Sequence, residues 1–152
     1  MEECRLIYKS IPSEEVVSNE TLADITENGA VNNRKLNITG LLILTGDEFL
    51  QVLEGPTKAV NQLYLQIAKD KRHRDVQLIS YETINQRFFQ TWNMRLIDLW
   101  DLPGQTRQYL LAKYKSDDEM IRIPDTFLEI HSLLLDAKAF CLSEPWKGKE
   151  PS

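Results

Sequence analysis

Apolar and polar positions along the chain alternate in some stretches and recur with a helical period in others. Residues 4–11 alternate: Leu6 and Tyr8 take one side, Arg5, Ile7 and Lys9 the other, which predicts a strand. Pro12-Ser13 interrupts it. Ser18 then stands as the N-cap of a helix reaching about residue 32, with Leu22, Ile25 and Gly29 as its apolar stripe. Continuing that spacing, seven on from Ile25 and eleven on from Leu22, brings Asn32 and Asn33 to the inward side of the same helix. Two apolar runs, 40–44 and 49–54, flank Gly46-Asp47 and read as a hairpin. After Gly55-Pro56 a second helix begins near Thr57, with the stripe Val60, Leu63, Tyr64, Ile67 and, three further on, Asp70. A basic cluster, Lys71-Arg72-His73-Arg74, leads into a fourth strand at 76–82. A fifth strand is expected at 87–97, with Trp92, Met94 and Leu96 on one face and Asn93 on the other, toward the C-terminal helices.

The predicted order, βαββαββ, is an α+β, ferredoxin-like plan with one added strand. Leu102-Pro103-Gly104 marks a boundary, giving a first unit at 1–98 and a C-terminal extension at 99–152. Two helices are expected in the extension, at 105–115 and 125–142. The strands are apolar on both sides. Two helices must therefore cover one face of the sheet, and the C-terminal pair can cover the other.

One residue does not fit a dry core. In FLQVLEG (49–55), Gln51 shares its side of the strand with Phe49 and Leu53. If that side faces the first two helices, Tyr8, Asn32, Asn33, Gln51 and Asp70 converge on one apolar space, with Trp92 and Met94 beside it. A polar group buried without a partner costs about 1–3 kcal/mol. Several together must satisfy one another or a planar ligand with polar edges, and an apolar pocket with a few placed polar groups is the usual character of a cofactor site.

Composition narrows the classes. The chain has 152 residues, 42% of them hydrophobic, enough for one cored domain with an appended element. Its net charge of −5 argues against a nucleic-acid partner. No run approaches the ~18 apolar residues of a membrane span, and MEECRLIYKS does not read as a secretory signal. Cys4 and Cys141 lie far apart and match neither a zinc nor a disulfide pattern, so they are expected to be free thiols in a reducing compartment, the cytoplasm. No nucleophile–base pair or metal cluster stands out, so catalysis on a substrate is not expected.

Four segments then carry a resemblance: N-x-T-G-L-L at 37–42, F-L-Q-V-L-E-G, the D-x-R-H run at 70–73, and R-x-F-x-x-W-x-M at 87–94. Together they resemble BLUF domains, blue-light sensors that bind FAD non-covalently, in unbroken order from about Arg5 to Ile97. The short helical tail, including LLAKYKS at 110–116, is similar to stand-alone PixD-type members. The resemblance implies that Tyr8 donates an electron to the excited flavin and that Gln51 lies between phenol and flavin. It implies that Asn33, with Asn32 close by, binds the ring's polar edge, that Ile25 and Ile67 sandwich the ring, and that Phe49 walls the pocket. Asp70, Arg72 and His73 would face the ribityl and phosphate arm, and Trp92 and Met94, next to Gln51, would report its state. FAD is the implied cofactor, with FMN the alternative. A homo-oligomer and a response-regulator-like protein partner are implied as well. Asn93 departs from the pattern, which often has Ser or Ala there.

Three rival readings differ in specific residues. A LOV photoreceptor needs a cysteine just before F-L-Q, where this chain has Gly46-Asp47-Glu48. An acylphosphatase needs a phosphate-cradling loop after the first strand, and Ser10-Ile11-Pro12-Ser13 offers neither glycine nor arginine. A flavin-free interaction module would use the same sheet and would be colourless.

Overall fold

The alternating runs become the strands β1 (Glu3–Pro12), β2 (Thr39–Leu44), β3 (Phe49–Pro56), β4 (His73–Ile84) and β5 (Arg95–Asp98). They form one sheet in the order β4-β1-β3-β2-β5. All neighbours are antiparallel except β2 and β5, which run parallel. The helices are α1 (Asn19–Lys35), α2 (Thr57–Lys69), α3 (Gly104–Tyr114) and α4 (Phe127–Ser143). This computed structural model describes residues 2–13, 19–90, 92–114 and 120–143, and of 19–26 and 143 the backbone alone. The expected cap at Ser18 and the side chains of Leu22 and Ile25 lie outside the described residues. Among the described residues, no helix is long and apolar enough to cross a membrane.

Strand parity sorts the core into two layers. Leu6, Tyr8, Leu42, Phe49 and Leu53 face α1 and α2, where Ala30 and Val60 close over them. Ile7, Leu41, Ile43, Leu50 and Val52 face the C-terminal helices and meet Leu110 and Tyr114 of α3 and Ile130, Leu133, Leu134 and Ala137 of α4. Both faces of the central strands are therefore internal, as in the ferredoxin-like arrangement expected from the sequence, whereas no residue of the edge strand β4 is fully buried. Each fully buried Leu or Ile here contributes about 1.5–3 kcal/mol of transfer free energy. Thr126 caps α4: its Oγ1 accepts from Glu129 N at 3.3 Å and donates to Glu129 Oε1 at 2.7 Å. Tyr114 joins α3 to α4 by donating to Asp136 Oδ2 at 2.6 Å. α1 ends past Asn32-Asn33, at Lys35, and Asn37 takes the left-handed backbone (φ 59°) that lets the chain turn back into β2.

The fifth strand is shorter than the pattern predicts. It begins at Arg95, and Phe88, Phe89 and Asn93 lie outside the ladder, with backbone groups taken up by side chains. Glu54, wholly buried, accepts from Phe88 N at 3.0 Å and Phe89 N at 2.6 Å. The same carboxylate accepts from Arg5 Nε at 2.7 Å. Arg87 instead reaches Glu3, Thr39 and the carbonyl of Asn37.

Candidate functional site

Register places the central polar residue. On β3, Gln51 lies opposite Tyr8 of β1 on one side and Leu42 of β2 on the other. Tyr8 is fully buried, and its hydroxyl donates to Gln51 Oε1. The Gln51 amide nitrogen donates to Met94 Sδ at 3.2 Å. One amide thus joins a phenol to a thioether, using its acceptor and its donor at once. Burial, reinforced by Tyr64 and Asp70 nearby, pushes the Tyr8 phenol well above its ordinary range, so it stays protonated.

A cleft of about 200 Å³ opens between α1 and α2, with Gln51 and Met94 at its floor. Leu42, Leu63 and Ile67 supply apolar walls, and Asn32, Asn33 and Gln66 supply amides. A Cβ added at Gly29 would meet nothing within 4 Å, so the α1 wall stands open there. Asn33 is buried and donates through Nδ2 to the Asn93 carbonyl at 2.9 Å, whereas Asn32, one residue earlier, is exposed at the mouth. At one end Asp70 and Arg72 form a close pair, Arg72 Nη2 to Asp70 Oδ2 at 2.5 Å, which holds the carboxyl below its usual range. Beside them His73 Nδ1 meets Ser10 Oγ at 2.9 Å. Burial is the main force on that imidazole and lowers its pKa; Asp70 opposes it and Arg72 adds to it.

Of the expected site residues, Gln51, Asn32, Asn33, Ile67, Asp70, Arg72, His73 and Met94 line this one cleft, and Tyr8 touches it through Gln51. Phe49 does not line it. Its ring backs the cleft, 5.4 Å from the His73 ring. Trp92 does not stand next to Gln51. It packs in the opposite layer with Leu133 and Leu134, and the Arg95 guanidinium lies 5.3 Å from its ring centre. Asn93 does not face the C-terminal helices but bonds the Ile38 carbonyl beside α1 at 3.1 Å. Both departures have one cause: residues 92–94 precede β5, so strand alternation does not run through them. Gln66 was missed by sequence reasoning, yet Leu63, Gln66 and Ile67 on α2 and Asp70 at its C-cap fall at i, i+3, i+4 and i+7, a signal that reading only the apolar positions passes over.

Sheet, covering helices and a mostly apolar cleft with placed amides define a small α+β module built for a planar cofactor with polar edges. The family model described as "BLUF: Sensors of blue-light using FAD" matches residues 4–95. The chain belongs to the BLUF family of flavin-binding blue-light sensors, whose cofactor is FAD. It is 41% identical over 111 residues to photoactivated adenylate cyclase subunit alpha of Euglena gracilis, covering 73% of this chain and 10% of that protein. The chain thus spans about a tenth of the length of that relative. Among solved structures, BlrB, a BLUF protein in its dark state, superposes with a TM-score of 0.72 at 26% identity, covering 93% of this chain and 97% of that one. BlsA in its photo-activated state superposes with a TM-score of 0.77, covering 96% and 99%; at 22% identity this speaks to the fold alone.

Proposed function

We propose that this chain converts blue light into a hydrogen-bond rearrangement centred on Gln51. Asn33 and Asn32 would hold the polar edge of the flavin ring, Ile67 and Ile25 would take its two faces, and Asp70, Arg72 and His73 would lie along the ribityl and phosphate arm. Bound FAD supplies what the chain lacks, absorption of blue light and a site that accepts an electron. Tyr8 gives up that electron. Its phenol, held neutral by burial, becomes a strong acid on oxidation, and its proton leaves along its bond to Gln51 Oε1. Return of electron and proton restores Tyr8 but leaves the Gln51 amide rearranged, with its bond to Met94 Sδ changed. The observation that carries this reading is the unbroken line Tyr8–Gln51–Met94 on the cleft floor.

The output is a change in protein contacts rather than turnover of a substrate. Met94 directly precedes β5, and Trp92 lies in the buried layer that includes Leu133 and Leu134 of α4, so residues 1–98 sense and 99–152 transmit, to a second copy of the chain or to a response-regulator-like partner. The buried thiols of Cys4 and Cys141 accord with a cytoplasmic setting. The test is Gln51→Leu. A blue-light-minus-dark absorption spectrum should lose its red shift while flavin stays bound, and a normal shift in this variant would overturn the assignment.

A further inference from the structure

Asn93 is tied to α1 and its exit by bonds that the sheet does not supply. Its carbonyl accepts from Asn33 Nδ2 at 2.9 Å, its Nδ2 donates to the Ile38 carbonyl at 3.1 Å, and its Oδ1 accepts from Arg34 Nε at 3.4 Å. Just before it, the Trp92 carbonyl accepts from Gly40 N at 2.9 Å. Just after it, Met94 Sδ accepts from Gln51. Ladder pairing with β2 starts only at Arg95, so these bonds set where the backbone of 92–94 lies.

We propose that Asn93 is a positioning residue of the photocycle: its side chain locks the 92–94 backbone onto α1 and so keeps the Met94 sulfur in place over Gln51. The proposal rests on the photosensor reading above. Methionine has three rotatable bonds and adapts readily to its surroundings. Its sulfur marks a defined point only when its backbone is fixed. Held there, it is an acceptor ready for the Gln51 amide when the dark arrangement re-forms. With the tie removed, Met94 must be re-ordered at every return, and ordering a flexible side chain carries a free-energy cost. The same geometry gives the cleft a second link to the segment before β5, from Asn33 to the Asn93 carbonyl, that does not pass through Gln51.

The experiment follows dark recovery of the light-induced absorption shift in the flavin-loaded full chain. The proteins compared are wild type, Asn93→Ala, Arg34→Ala, Met94→Leu and the Asn93→Ala/Met94→Leu double variant. Asn93→Ala should keep flavin and the red shift but recover about two- to tenfold more slowly, the factor implied by re-ordering one side chain. Arg34 is exposed, so Arg34→Ala should fold normally and slow recovery in the same direction by less. In the Met94→Leu background, Asn93→Ala should change the rate by less than about twofold, because residues acting through one contact are not additive. Unchanged or faster recovery in Asn93→Ala overturns the proposal, as does equal slowing with and without Met94. If Asn93→Ala fails to hold flavin, Arg34→Ala decides alone, and unaltered recovery there overturns it. A wild type without any red shift would overturn the photosensor reading itself, and this role with it.

Discussion

Replacing Glu54 by glutamine isolates how much of the fold depends on one buried carboxylate. Its Oε2 accepts from Arg5 Nε at 2.7 Å and Phe88 N at 3.0 Å, and its Oε1 accepts from Phe89 N at 2.6 Å. A glutamine has one acceptor oxygen and one NH₂ donor. Either orientation sets that NH₂ against a donor: toward Phe89 N in one, toward Arg5 and Phe88 N in the other. The guanidinium of Arg5, only 5% exposed at its side chain, would keep Glu82 as its remaining carboxylate, at 2.6 Å but 46% exposed. Breaking a buried pair from one side costs about 3–5 kcal/mol. The surviving Glu82 contact puts the expected loss at the lower end, about 3 kcal/mol. For a chain of this size that corresponds to a fall in Tm of about 6–12 °C. The assay is urea unfolding followed by far-ultraviolet circular dichroism at matched flavin occupancy, since bound ligand adds stability of its own. The midpoint should fall with an unchanged slope. Adding Arg5→Met to Glu54→Gln should cost less than the two single changes summed, because neither charge is then left buried alone. A loss under about 1 kcal/mol for Glu54→Gln, or a double variant as costly as the two singles summed, would refute the account.

Two further predictions concern β2 and the cleft. A Cβ at Gly40 would collide with the carbonyl oxygen of Val52 on the paired strand, a backbone atom that cannot swing aside. Gly40→Ala should therefore lower the urea midpoint far more than the few tenths of a kcal/mol of an ordinary surface change, and a midpoint within error of wild type would contradict the close approach. Burial holds the folded-state pKa of His73 below 6.5, so between that depressed value and 6.5 the unfolded chain binds more protons. Its contribution to stability is complete above 6.5 and is lost as pH falls through that window. His73→Gln should flatten the fall in urea midpoint between about pH 7.5 and 5.5. An identical pH dependence in wild type and variant would show that the imbalance in proton binding lies elsewhere.

What was legible in the sequence follows from where side-chain periodicity governs the backbone. Tyr8 and Gln51 sit in regular strands, and parity set both on the face beneath α1 and α2. Ile67 and Asp70 followed from the period of α2 in the same way. Parity failed at Trp92 and Asn93 because long-range side-chain bonds hold that segment outside the ladder. Glu54 takes the amide groups of Phe88 and Phe89, and Asn93 reaches Ile38, 55 positions away in the chain. No local pattern encodes a carboxylate on one strand that ends the pairing of a distant one. The cap of α4 was legible in principle, since Thr126-Phe127-Leu128-Glu129 is a capping-box sequence.

The two polar residues of β3 are linked by what they hold. Gln51 and Glu54 are three positions apart and so face opposite layers of the sheet. Both are spent on the same connection between β4 and β5. Glu54 binds its beginning through Phe88 and Phe89, and Gln51 binds its end through Met94. A connection anchored at both ends to one strand cannot shift as a rigid piece. If the bond at Gln51 changes, the displacement has to be absorbed between Phe89 and Met94. Within that span Trp92 lies in the layer shared with Leu133 and Leu134 of α4, and its carbonyl is held by Gly40. On the proposed photosensor reading, the buried Arg5–Glu54 pair is a fixed point on the far face of the sheet, against which a change at the cleft floor would reach the C-terminal helices.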